Sequence, residues 1–92
     1  MAFIQLVYTA AARKALKQID THIALRIVDK IHENTQLPDP SVRAKALTGN
    51  LAGLYRYRVG NYRVVFAVTQ DNIIAIYTVL TIKHRKNVYR QG

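Results

Sequence analysis

The sequence predicts an α+β domain with the element order β-α-α-β-β-β, an antiparallel sheet with an N-terminal helical hairpin packed on one face. Three observations predict it. A short apolar run precedes two segments of helical periodicity, two alternating runs flank a Gly–Asn pair, and a third, almost wholly apolar run follows. The length, 92 residues, suits one domain spanning 1–92, and half of the residues are apolar, enough for a core.

Residues 3–8, FIQLVY, read as a strand. Thr9 can cap the helix that follows, and residues 10–18 are Ala-rich with Lys and Arg, all good helix formers. Asp20 is a second N-cap; from there Ile23, Ile27 and Ile31 recur on one face with Ala24 and Val28, ending near Asn34. The tight junction at Ile19–Asp20 predicts an antiparallel helical hairpin. Residues 36–53, with Pro38, Pro40, Gly49 and Gly53, read as a loop carrying Arg43 and Lys45. LYRYRV (54–59) and YRVVFAV (62–68) flank Gly60–Asn61, a two-residue hairpin signature. The run at 73–80, IIAIYTVL, is apolar on both faces and is expected to be the central strand.

Composition narrows the chemistry. There are no cysteines, which removes disulfides, thiolate metal sites and cysteine nucleophiles. The three histidines are scattered and no acids cluster with them, so no metal site and no cofactor is expected. No apolar run approaches the roughly 20 residues of a membrane-spanning helix, and no basic region precedes the N-terminal apolar stretch. The expectation is a cytoplasmic protein without a signal peptide. The net charge of +9 is one-sided: residues 1–42 hold five Lys/Arg and four Asp/Glu, residues 43–92 nine Lys/Arg and one acid, Asp71. Charge confined to half of a small domain makes a field that attracts polyanions.

The Gly60–Asn61 turn fixes a register in which Val59 faces Tyr62, Arg58 faces Arg63, Tyr57 faces Val64 and Arg56 faces Val65. Alternation then sets Arg56, Arg58 and Arg63 on one face and Tyr55, Tyr57, Val59, Tyr62, Val64 and Phe66 on the other. Like charges opposite one another weaken a hairpin, and neither strand carries an Asp or Glu. An anion over that face removes the cost, and guanidinium forks suit phosphate oxygens. A second basic cluster, Lys83, His84, Arg85, Lys86, Tyr89 and Arg90, follows the third run and is expected at the edge of the same sheet. A His and a Tyr beside cations can do acid–base work, and positive charge favours the phenolate. His22 and His32, on the helices, are read as non-catalytic.

The segment AKALTGNLAGLYRYRVGNYRVVFAV (44–68) resembles the signature of the RelE toxin family, in which a K-x-L-x-G loop leads into a hairpin with alternating basic residues. The tail IKHRKNVY (82–89) is similar to that family's closing H-R-x-x-x-Y pattern, and the element order fits over essentially the whole chain. The resemblance implies the toxin of a toxin–antitoxin pair: a metal-independent endoribonuclease that cuts mRNA on the ribosome by attack of a 2′-hydroxyl on the adjacent phosphate. It implies an acidic antitoxin partner, a toxin–antitoxin hetero-oligomer, and the ribosome and mRNA as targets. By position it implies Arg63 with Arg58 as phosphate clamp, Arg56 and Lys83 as charge stabilisers, Tyr89 as base and His84 as acid. Arg43, Lys45, Arg85, Lys86 and Arg90 are further RNA-binding candidates. Arginines stand where lysines are expected on the first hairpin strand; arginine is always protonated and a poor proton shuttle. Two other readings share the scaffold: a ParE-like gyrase inhibitor, and a non-catalytic RNA- or antitoxin-binding relative.

Overall fold

Two side-chain oxygens start the two helices of the computed structural model, which describes residues 3–37, 43–70 and 73–84. Strand β1 (Phe3–Tyr8) runs into Thr9, whose Oγ1 accepts the Ala12 N–H and caps α1 (Ala10–Lys17). Asp20 then caps α2 (Thr21–Thr35), its carboxylate accepting the His22 N–H at 3.0 Å. Both caps fall on the residues whose short polar side chains predict them.

The remaining elements are β2 (Lys45–Ala46), a 3₁₀ turn (Gly49–Leu51), β3 (Leu54–Val59), β4 (Tyr62–Gln70) and β5 (Ile74–His84). They form a five-stranded sheet in the order β1-β5-β4-β3-β2. The β3–β4 register is Val59↔Tyr62, Arg58↔Arg63, Tyr57↔Val64 and Arg56↔Val65, as the turn demands. Gly60 has φ +58°, while among the described residues no non-glycine residue has positive φ, which makes this a type II′ turn with glycine in the position that needs it.

The sheet departs from the sequence expectation in four places. The segment read as a loop contributes β2, whose Lys45 and Ala46 pair with Arg56 and Tyr55; two residues are too few to leave a periodic signal. The sheet is mixed, because β1 lies parallel to β5. The middle strand is β4, with β5 between it and β1. Finally, β5 runs on to His84, so Lys83 and His84 belong to the strand and do not follow it.

The helices cover one face of the sheet. Ala12, Ile27 and Ile31 bury against Tyr57, Val59, Val64, Phe66, Tyr77, Val79 and Ile82. Tyr55, Phe66 and Tyr77 form an aromatic ladder across β3, β4 and β5, with ring centroids 5.5 and 5.9 Å apart. Two buried polar atoms in this layer have no hydrogen-bond partner, Asn34 Oδ1 and the Tyr8 hydroxyl. Burial pushes the Tyr8 phenol above its ordinary value. The unfolded chain therefore ionises first as pH rises past about 10, and stability falls there while being unaffected below. Tyr8→Phe removes the orphaned hydroxyl. Urea unfolding should show it more stable by about 1 kcal/mol at pH 7, with less loss of stability than the parent between pH 9 and 11.

Candidate nucleic-acid interface

Strand alternation turns the arginines of β3 and β4 to the face away from the helices. Arg56 and Arg63 are half-buried, and Arg58 is exposed. Together with Arg43 and Lys45 they line an open groove of about 220 Å³. The loop adds its cations by the same logic as the strands: Ala44 is buried, so Arg43 and Lys45 on either side are exposed. Lys45 stands directly opposite Arg56, Arg58 opposite Arg63, and Arg63 opposite Lys83. A row of three cations thus crosses three strands, spanning roughly 10 Å at normal strand spacing. On α2, by contrast, Lys30 meets Glu33 at 3.4 Å.

The end of β5 is set by a β-bulge. Val65 pairs with Thr81, but Phe66 pairs with Val79, which leaves Leu80 as an extra residue on β5. Before the bulge Ala75, Tyr77 and Val79 point to the helices; after it Ile82 does. Lys83 consequently shares the face of Arg63. His84 pairs with Tyr62 and meets its ring edge-on at 5.0 Å, bordering a second concavity lined by Ala15, Gln18 and Ile19 of the helical hairpin. The expected neighbourhood of His84 and the arginines is therefore corrected: the two lie on opposite faces of the sheet.

Of the sequence candidates, Arg43, Lys45, Arg56, Arg58 and Arg63 line the groove together; Lys83 continues their row on β5 by its register with Arg63 and, at the strand end, also borders the helix-side concavity beside His84. Arg85, Lys86, Tyr89 and Arg90 lie outside the described residues. What the sequence reading missed is Thr9, whose hydroxyl reaches the bulge as well as the helix; its spacing ahead of Ala12 signals the cap alone. Among the described residues no three His, Asp or Glu side chains converge, and no helix is long and apolar enough to cross a membrane.

A five-stranded sheet carrying a helical hairpin on one face is the fold of the RelE/ParE class of toxins. The chain belongs to that superfamily: residues 6–89 match the family model of the ParE toxin of type II toxin–antitoxin systems, parDE. It is 34% identical over 79 residues to Toxin RelE3 of Methanocaldococcus jannaschii, covering 83% of this chain and 84% of that one. Its fold is similar to that in the RelB–RelE antitoxin–toxin complex from Methanococcus jannaschii, with TM-score 0.69, 28% identity, and 92% and 96% of the two chains covered. It is also similar to that in the RelBE2 toxin–antitoxin complex from Mycobacterium tuberculosis, with TM-score 0.74, 22% identity, and 92% and 100% covered. The protein is a toxin of a type II toxin–antitoxin pair.

Proposed function

We propose that this toxin is a metal-independent endoribonuclease that cuts mRNA on the ribosome, and that the groove of β3, β4 and β5 receives the RNA backbone. The observation that carries the reading is the row Arg58–Arg63–Lys83, with Arg56 and Lys45 beside it. Like charges opposed across a ladder cost stability; a phosphate chain laid over them reverses the sign of that interaction. Attack of a 2′-hydroxyl on the adjacent phosphate forms a bond to phosphorus and breaks the bond to the 5′-oxygen, with negative charge growing on the other phosphate oxygens. Arg63 and Arg58 clamp those oxygens, and Arg56 and Lys83 neutralise the developing charge. Arg43, Arg85, Lys86 and Arg90 extend the contact along the backbone. Tyr89 is the candidate base that takes the 2′-hydroxyl proton; His84, turned toward Tyr62 on the other face, is not assigned the acid, and the departing 5′-oxygen takes its proton from water.

The partner that keeps such a toxin in check is an acidic antitoxin, which the one-sided charge favours. The Methanococcus jannaschii relative was solved with its RelB antitoxin. Exposed Phe3 and Ile73, neighbours at the opposite end of the sheet, add apolar surface for a hetero-oligomeric partner. Action on ribosomes implies a cytoplasmic location.

The match to the ParE toxin family keeps a second reading, the inhibition of DNA gyrase that resemblance to ParE implies. Translating ribosomes incubated with the protein, with mapping of mRNA 3′ ends, separate the two. Truncation within ribosome-covered codons, leaving the 2′,3′-cyclic phosphate that attack by the 2′-hydroxyl produces, supports the nuclease. Intact message beside inhibited gyrase supercoiling overturns it.

A further inference from the structure

We propose that Thr9 is the positioning residue of the cationic groove: its hydroxyl fixes the bulge at Leu80 and thereby holds Lys83 opposite Arg63. The binding half of this inference rests on the groove being a phosphate site; the positional half does not.

An unbroken β5 that continued the inward series Ala75, Tyr77, Val79 would bring residues 81 and 83 to the helix side and 82 and 84 to the groove. That arrangement drives an ammonium under α1 and strands Ile82 in water, so the extra residue at Leu80 is what makes the strand end compatible with the core. A bulge withdraws backbone groups from the ladder, and those groups need new partners. Thr9 supplies the one for Leu80: its Oγ1 donates to the Leu80 carbonyl at 2.8 Å, while its N–H donates to the Val79 carbonyl at 3.1 Å as the last rung of the β1–β5 ladder. The same oxygen accepts the Ala12 N–H at 3.1 Å. One hydroxyl therefore ties the end of β1, the start of α1 and the bulge into a single junction, and the donor and acceptor duties are chemically separable.

That separation makes the test. Thr9→Ser keeps both duties. Thr9→Asp keeps the cap but, as a carboxylate, cannot donate to Leu80. Thr9→Val removes both. The chain has no cysteine, so Lys83→Cys and His84→Cys report which side each position occupies through their rates of thiol labelling. In the parent, labelling at position 83 should be several-fold faster than at position 84. Thr9→Asp and Thr9→Val, compared at temperatures where circular dichroism retains the parent's helix content, should bring the two rates together or invert them. Thr9→Ser should preserve the difference. Deleting Leu80 removes the extra residue and leaves Thr81 and Lys83 outward without help, so in that background Thr9→Asp should have no effect on the rates. An unchanged difference in Thr9→Asp and Thr9→Val, or a Thr9→Asp effect that persists without Leu80, overturns the proposal.

The second readout is the salt dependence of binding to a short oligoribonucleotide. Thr9→Asp should reduce the slope by about one, as Lys83→Ala does, and the two together should do no more than either alone. If labelling changes as described while the slope stays at the parent value, Thr9 positions Lys83 but the phosphate reading of that lysine fails.

Discussion

Arg63→Ala should lower the rate of mRNA cleavage on ribosomes by roughly 10²–10³-fold, the usual cost of removing one donor aimed at transition-state charge. The effect is concentrated on this residue because Arg63 is the middle of the row: it faces Arg58 on one side and Lys83 on the other. Removing it takes away a phosphate contact and separates the two cations that remain. Stability should change by no more than about 1 kcal/mol: relief of like-charge pairing contributes a few tenths of a kcal/mol per pair, set against lost packing of the arginine stem and the loss of the interaction Arg63 makes within the chain. The diagnostic pattern is thus a variant that loses cleavage and cellular toxicity while its urea midpoint stays within that margin. A variant that still cleaves at the parent rate contradicts the clamp. One that loses only RNA affinity, from a parent with no cleavage to lose, identifies a non-catalytic binder.

Phe66→Ala should produce the largest loss of stability, about 3–5 kcal/mol. Phe66 is 3% exposed and is the central rung of the aromatic ladder, stacked on Tyr55 and Tyr77. Its removal leaves a cavity and breaks two ring pairs at once. Domains of this size hold roughly 5–14 kcal/mol in all, so the variant should melt on the order of 15–30 °C lower. Phe66→Leu, which refills most of the volume, should cost under half as much. Equal losses for the two would mean that ring stacking, not cavity volume, dominates. The site depends on this layer, because Phe66 pairs with Val79 at the position where β5 bulges.

How far residues alone reveal the protein depends on how local the physics is. Thr9 and Asp20 are legible as caps because capping is decided within three residues. The Arg58–Arg63 pairing is legible because Gly60 dictates a two-residue turn and the turn dictates the register. β2 is not legible: its two residues acquire strand geometry from Arg56 and Tyr55 across the ladder. Nor is the parallel docking of β1 against β5, which brings together residues about 70 positions apart. The bulge at Leu80 is the costly omission. In IAIYTVLTIKH both faces are apolar through Leu80, so nothing in the alternation marks where the phase slips. Reading straight through it leaves Lys83 and His84 as neighbours in one basic cluster, whereas the sheet assigns them to opposite faces. The resemblance carried by residues 44–68 and 82–89 identified the family; it could not orient those two side chains.

The central claim is that the guanidinium groups of the β3–β4 hairpin meet the RNA backbone. The most direct measurement is amide and guanidinium chemical-shift mapping during titration with a 2′-O-methyl oligoribonucleotide, which binds but has no free hydroxyl to attack. The predicted result is perturbation centred on Lys45, Arg56, Arg58, Arg63 and Lys83, weakening steeply with added salt. Perturbation confined to the helices, with the hairpin arginines silent, would contradict it.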